Sequence, residues 1–182
     1  MKINPEIFQF LNELKKNNNK TWFDSKKDHY KKLKSDFEGF INKLIAKLRS
    51  IDSQLEPIEA KDCIFRIYRD IRFSKDKTPY KTHFGAHITN GGRKSVFPGY
   101  YLHVEPGNSF IAGGMHNPPP DILKSIRIYI YDNVQEFRNI IEKESFKELF
   151  GDLPGEKLKM APKGFPKDFE WIDLLKYKSY AV

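Results

Sequence analysis

The spacing of apolar residues changes part-way along this chain, and that change limits what it can fold into. From Ile7 to Leu48 they recur at intervals of three and four. Ile7, Phe8, Leu11 and Leu14 form one set, and Tyr30, Leu33, Phe37, Phe40, Ile41, Leu44, Ile45 and Leu48 form another. These are the stripes of amphipathic helices, and the second predicts a long one. From Cys63 onward β-formers take over. His83–Thr89 and Gly99–Glu105 alternate, and Ser109–Met115 follows the turn Glu105-Pro106-Gly107-Asn108. Strands joined by short turns predict an antiparallel meander. Helical spacing returns after Pro118-Pro119-Pro120-Asp121, with Ile122, Leu123, Ile126 and Ile130, then Val134, Phe137, Ile140 and Ile141. The expected fold is α+β: an antiparallel sheet of about four to six strands packed against N-terminal and C-terminal helices. The length of 182 residues suits one such domain, 1–182.

Local signals set the expected boundaries. Asn4-Pro5-Glu6 reads as an N-cap, a first-turn proline and a first-turn acid. Thr21-x-x-Asp24 and Asn133-x-x-Glu136 read as capping motifs. Cys63–Arg69 reads as a strand running into a loop. Lys157–Met160 and Ser179–Val182 read as short strands, and Phe169–Lys176 as a helix. Gly113-Gly114 within a strand suggests either a bulge or the close approach of a ligand or another backbone.

No apolar run nears the roughly 20 residues of a membrane helix, so no membrane partner is expected. The N-terminus lacks the apolar core of a secretion signal. Cys63 is the one cysteine, which excludes an internal disulfide and fits a reducing, cytoplasmic setting. We read its thiol as a small buried hydrophobe.

The net charge is +8, and its placement is uneven. Residues 1–94 carry 21 Lys and Arg against 12 Asp and Glu, whereas residues 95–182 carry 11 against 12. Such asymmetry points to an anionic partner: a nucleotide, a phosphorylated metabolite or a nucleic acid. The lysines at 26, 27, 31, 32 and 34 read as a solvated helix face.

The concentration is sharpest in one segment, where residues 61–83 hold seven Lys and Arg against three Asp. Arg66, Arg69 and Arg72 follow at intervals of three. Their guanidinium forks match phosphate or carboxylate oxygens two at a time. Lys75 and Lys81 add charge, and Tyr80 a donor; Tyr68, Phe73 and Tyr80 are candidates to stack a base. Arg66, between Phe65 and Ile67, is expected to be at least half-buried and so to need a partner. Tyr101 and His103 share a strand face that is expected to point toward this loop. The candidate ligand-binding set is therefore Arg66, Arg69, Arg72, Lys75, Tyr80, Lys81, Tyr101 and His103.

Three readings follow. The first is a module or enzyme holding a phosphate-bearing or other anionic ligand on these residues. The second is a hydrolase or transferase whose basic cluster stabilises a developing anion while His83 or Asp70 moves the proton. The third is a structural or interaction protein in which Asp62, Asp70 and Asp76 neutralise the arginines internally. His83, His87, His103 and His116 lie in or beside the expected sheet, yet no tight metal-ligand spacing occurs and no metal site is assigned. There is no nucleophile elbow, Walker loop or dinucleotide fingerprint, so no cofactor is assigned. The oligomeric state is left open.

The string Arg66–His83 resembles the signature of the domain-of-unknown-function family 2461, widespread in bacteria and found in some eukaryotes. Asn18-Asn19-Lys20-Thr21-Trp22-Phe23-Asp24 is similar to the family's N-terminal motif. Gly99–Pro106 and Ala112-Gly113-Gly114-Met115 are similar to its central hairpin, and Lys176-Tyr177-Lys178-Ser179 to its C-terminal one. The resemblance spans nearly the whole chain and carries no activity with it. Members usually continue past the position of Val182, so it implies a chain truncated at its C-terminus.

Overall fold

A computed structural model describes residues 1–182, with eight helices and four antiparallel strands, an α+β protein. The chain divides into two compact units, Met1–Ile111 and Ala112–Val182.

The first unit opens with α1 (Pro5–Lys16), whose Glu6 amide donates to the Asn4 side chain at 3.0 Å, as the N-cap signal predicts. Next come α2 (Lys20–Ser25) and the long α3 (Lys27–Arg49). The cap of α2 is Asn19, which accepts from the Trp22 amide; Thr21 does not cap it, and Asp24 is instead paired with Lys20. A single helical turn, α4 (Ala60–Cys63), leads to the hairpin of β1 (Phe84–Ile88) and β2 (Gly99–Val104). The register pairs Phe84 with Val104, Gly85 with His103 and His87 with Tyr101.

This register separates two faces. Phe84, Ala86, Ile88, Leu102 and Val104 are buried with Phe10, Leu14, Leu33, Phe37 and Ile41 of the helices. The rings of Phe37 and Phe84 lie 5.2 Å apart. Gly85, His87, Tyr101 and His103 fall on the opposite face, as alternation requires.

The expected strand over 63–69 is replaced by α4 and an extended segment that touches its neighbours only at isolated bridges, Ile64 with Ala86 and Tyr68 with Tyr80. Pro79 has no N–H with which to lengthen a ladder. Asn18 takes both hydrogen-bonding groups of Tyr80, donating to its carbonyl at 2.9 Å and accepting from its amide at 3.1 Å.

The second unit begins within β3 (Phe110–Met115) and contains α5 (Pro120–Asp132), α6 (Val134–Ile141), α7 (Glu144–Phe150), α8 (Ile172–Leu175) and β4 (Tyr180–Ala181). Gly114 and Met115 pair with Ala181 and Tyr180. Of the glycine pair, Gly114 serves this backbone contact: it has φ +113°, and a Cβ there would lie 2.3 Å from the Tyr180 carbonyl, whereas a Cβ at Gly113 would meet nothing. Asn133 stands at the N-cap of α6 as expected, but its side chain turns back to α5, donating to the Tyr129 carbonyl at 2.9 Å, while Glu136 accepts from the Tyr129 hydroxyl. Lys157 makes one bridge, to Tyr177, in place of the expected strand. No helix is long and apolar enough to cross a membrane.

Candidate functional site

The cationic segment leaves α4, runs out as a loop and returns to β1. Its base is closed by the Lys81 amide donating to the Ile67 carbonyl at 2.8 Å and the Arg69 amide donating to Pro79 at 2.9 Å. Below it, the buried Tyr80 ring stacks on Phe23, 4.0 Å away and 15° from parallel. The expectation that Tyr80 meets a ligand gives way here, because the ring is committed to the core.

Beyond the base, the loop neutralises much of its own charge. Arg69 pairs with Asp76 at 2.5 Å and also donates to Thr78, on both its carbonyl and its hydroxyl. Asp76 accepts the Thr78 amide at 2.9 Å, an Asx turn that holds the loop's shape. The Thr78 amide, then its hydroxyl, then Arg69 hold the Asp76 carboxyl down at about 2. Arg72 grips Asp70 with two bonds, 3.0 and 2.7 Å, and this holds the Asp70 carboxyl below its usual range. Asp70 is thus an exposed ion-pair partner. Lys77 donates to the Ile71 carbonyl.

Arg66, Lys75 and Lys81 take part in no such pairs. Arg66 is exposed, which corrects the expected burial; its flanking residues alternate, and Ile67 points inward while Arg66 points out. Lys75 is exposed at the loop tip. Lys81 is half-buried, with its ammonium 5.2 Å over the Phe65 ring. Burial, and then the neighbouring Arg66 charge, push its pKa down.

Lys81 leads directly into a polar cluster on the open face of the β1–β2 hairpin. Glu105 is its anchor, accepting from Thr82 Oγ1 at 2.9 Å, from Asn108 at 3.2 Å and from His103 Nε2 at 3.2 Å. Burial pushes the Glu105 carboxyl up, yet the bonds from His103, Asn108 and Thr82 outweigh it and hold the group below its usual range. The other His103 nitrogen, Nδ1, lies 3.2 Å from the Tyr101 hydroxyl. Gly85, across the ladder from His103, makes room for that hydroxyl: a Cβ at position 85 would lie 2.9 Å from Tyr101 Oη.

Aromatic rings wall the cluster. His103 is 8% exposed, sandwiched between His83 at 4.2 Å and Phe110 at 4.8 Å, the latter nearly parallel. Tyr101 meets Phe65 at 6.2 Å and Phe110 at 5.8 Å. Burial first, then His103 and Lys81, push the His83 pKa down to about 4, so this ring is neutral at pH 7.

Residues 6–182 match the model of a conserved hypothetical protein family, DUF2461. The chain belongs to that family. No curated protein and no solved structure matches it. For this DUF2461 chain the structure gathers Lys81, His83, Tyr101 and His103 around Phe65 and Phe110, and it leaves Arg69 and Arg72 with Asp partners in the loop. Sequence reasoning passed over four contributors: Asn18, Thr82 as a Glu105 donor, Gly85 and Phe110. For Glu105 the signal was present in the alternation Tyr101-x-His103-x-Glu105, which puts three polar groups on one strand face. Nowhere do three or more His, Cys, Asp or Glu gather as metal ligands.

Proposed function

We propose that this protein binds a phosphate-bearing small molecule, of nucleotide or phosphorylated-metabolite class, on the sheet face beside Lys81 and Arg66. One observation carries the reading. Lys81 is a half-buried cation whose charged neighbour is a second cation, and neither forms an ion pair, whereas the loop arginines 69 and 72 both do. A cation in that position gains from an anion supplied from outside, since burial costs it hydration that the Phe65 ring replaces only in part and no acid replaces. Phe65, Tyr101 and Phe110 offer flat apolar surface for the rest of the molecule.

A small ligand is favoured over a nucleic-acid strand by the helix lysines. Lys26, Lys31 and Lys34 pair with Glu13, Asp28 and Glu38, which leaves Lys27 and Lys32 as the unpaired members and breaks the stripe. The setting that fits is the cytoplasm, where the buried Cys63, its thiol pushed up to about 11 by burial first, stays an unreactive core residue.

The test is titration calorimetry with inorganic pyrophosphate and, separately, a single-stranded oligonucleotide. Lys81→Met lowers pyrophosphate affinity about tenfold, the loss of one charge-assisted contact, and Arg72→Met leaves it unchanged. Equal loss in both variants overturns the site. Tighter oligonucleotide binding with a steep salt dependence overturns the ligand class.

A transferase or hydrolase acting on such a ligand is a second reading, favoured by the Tyr101–His103–Glu105 chain beside the same lysine.

A further inference from the structure

We infer that Tyr101, His103 and Glu105 form a proton relay that makes the Tyr101 hydroxyl oxygen a nucleophile toward a phosphoryl group; the identity of that electrophile rests on the binding reading above.

The direction of the relay follows from its far end. Glu105 is ionised and can only accept, so the hydrogen in its contact with His103 belongs to Nε2. In the neutral imidazole that leaves a lone pair on Nδ1, and the Tyr101 hydroxyl donates to it. Thr82 and Asn108 fix the carboxylate, Glu105 fixes the tautomer, and Phe110 and His83 hold the imidazole plane between them. This is the arrangement of a nucleophile, a base and an orienting group. Gly85 is the second, independent sign, because a β-carbon there would collide with the hydroxyl oxygen and a strand interior otherwise gains from a side chain. Tyr101 is half-buried and shares the Phe65 ring as neighbour with Lys81.

In the step, Tyr101 Oη forms a bond to phosphorus. The bond from phosphorus to a leaving phosphate oxygen breaks, and that oxygen departs with the electron pair. The phenolic proton passes to His103 Nδ1, and Glu105 stabilises the imidazolium. A phosphoanhydride is the substrate class that fits, because its leaving group needs no proton. Tyr101 is the catalytic residue; His103 and Glu105 act through it. The groups around the relay are Tyr101 and Glu105 hydrogen-bonded to His103, His83 and Phe110 against its ring, Lys81 beside His83, and His87 paired across the ladder with Tyr101.

An arylsulfonyl fluoride tests the oxygen without relying on anion binding. Oη–S forms, S–F breaks, fluoride leaves, and the proton again goes to His103. Peptide mass spectrometry of the intact protein after timed exposure reads each tyrosine. Tyr101 is expected to label about a hundredfold faster than the exposed Tyr68 at neutral pH, the size of a positioned base. Burial pushes the Tyr101 pKa up, so fast labelling at neutral pH requires His103 to take the phenolic proton during the step. His103→Gln removes the excess rate. If that variant misfolds by circular dichroism, Glu105→Gln serves instead, lowering the rate while keeping the fold. Labelling of Tyr101 at the Tyr68 rate, or labelling unchanged in His103→Gln, overturns the relay. Pyrophosphate slows Tyr101 labelling in the parent protein but not in Lys81→Met. Fast labelling with no pyrophosphate protection keeps the nucleophile and overturns the anion site.

Discussion

The loop Asp70–Thr78 and the open face of the β1–β2 hairpin are both densely polar, and they handle charge in opposite ways. In the loop each gripped cation has an acid a few residues away: Arg69 with Asp76, Arg72 with Asp70. Arg72, Asp70 and Asp76 lie largely in water, where such pairs contribute little, and the half-buried Arg69 is fully matched by Asp76 and Thr78. On the hairpin face the groups are half-buried and the matching is incomplete. Glu105 gathers three side-chain donors, while Lys81 has no acid partner and its charged neighbour is Arg66. Charge density alone therefore does not mark a site; charge left unmatched where water is scarce does.

The strongest way to break this contrast is to remove an acid from each region. Glu105→Leu strands donors from Thr82, Asn108 and His103 in a sheltered place and is expected to lower stability by about 3 kcal/mol in urea denaturation. Asp70→Leu, fully exposed, is expected to leave the urea midpoint where it was. Equal shifts would erase the distinction.

A somewhat smaller effect is expected where the two regions join. Asn18 imitates a neighbouring strand for Tyr80. Asn18→Leu leaves that amide and carbonyl unpaired and costs about 2 kcal/mol. Hydrogen exchange should then quicken in 67–81 while the β1 amides keep their protection. Uniform quickening would mean that the loop base and the sheet open as one unit.

His83 gives a pH-dependent counterpart. Its folded value, about 4, lies below its unfolded 6.5, so between these limits the unfolded chain binds more protons. Stability is therefore full above pH 6.5 and falls as the pH drops toward 4. The expected loss is about 2 kcal/mol once the solvent screening of a half-buried ring is allowed for. His83→Gln should flatten that part of the curve; an unchanged slope would assign the proton to another group.

These contrasts explain what could be read from the sequence. The helices of the first unit were legible because Leu33, Phe37 and Ile41 must share a face, and the β1–β2 hairpin because alternation is a property of neighbours in the chain. The pairing Tyr101–His103–Glu105 was half-legible for the same reason. Arg66 was misjudged because burial of one residue depends on which way a short extended segment faces, and Ile67 and Tyr80 decide that from elsewhere. Tyr80 was misjudged because Phe23, far away in sequence, claims its ring. Gly85 carries no local sign at all, since its role is to leave space for a hydroxyl on the adjacent strand.

The smallest expected effect tests how self-contained the loop is. Asp76 titrates near 2, and the Thr78 amide and hydroxyl contribute more to that than Arg69 does. Its stabilising contribution is present above the unfolded carboxylate value and is lost as the pH falls toward 2. In Arg69→Met, the Asp76 carboxyl carbon followed by NMR should titrate higher than in the parent but still below the ordinary carboxylate range, because the Asx turn survives. A return all the way to the ordinary range would mean that the turn exists only while the arginine holds it. The loop would then be as dependent on one cation as the hairpin face is on Glu105, and the two regions would no longer differ in kind.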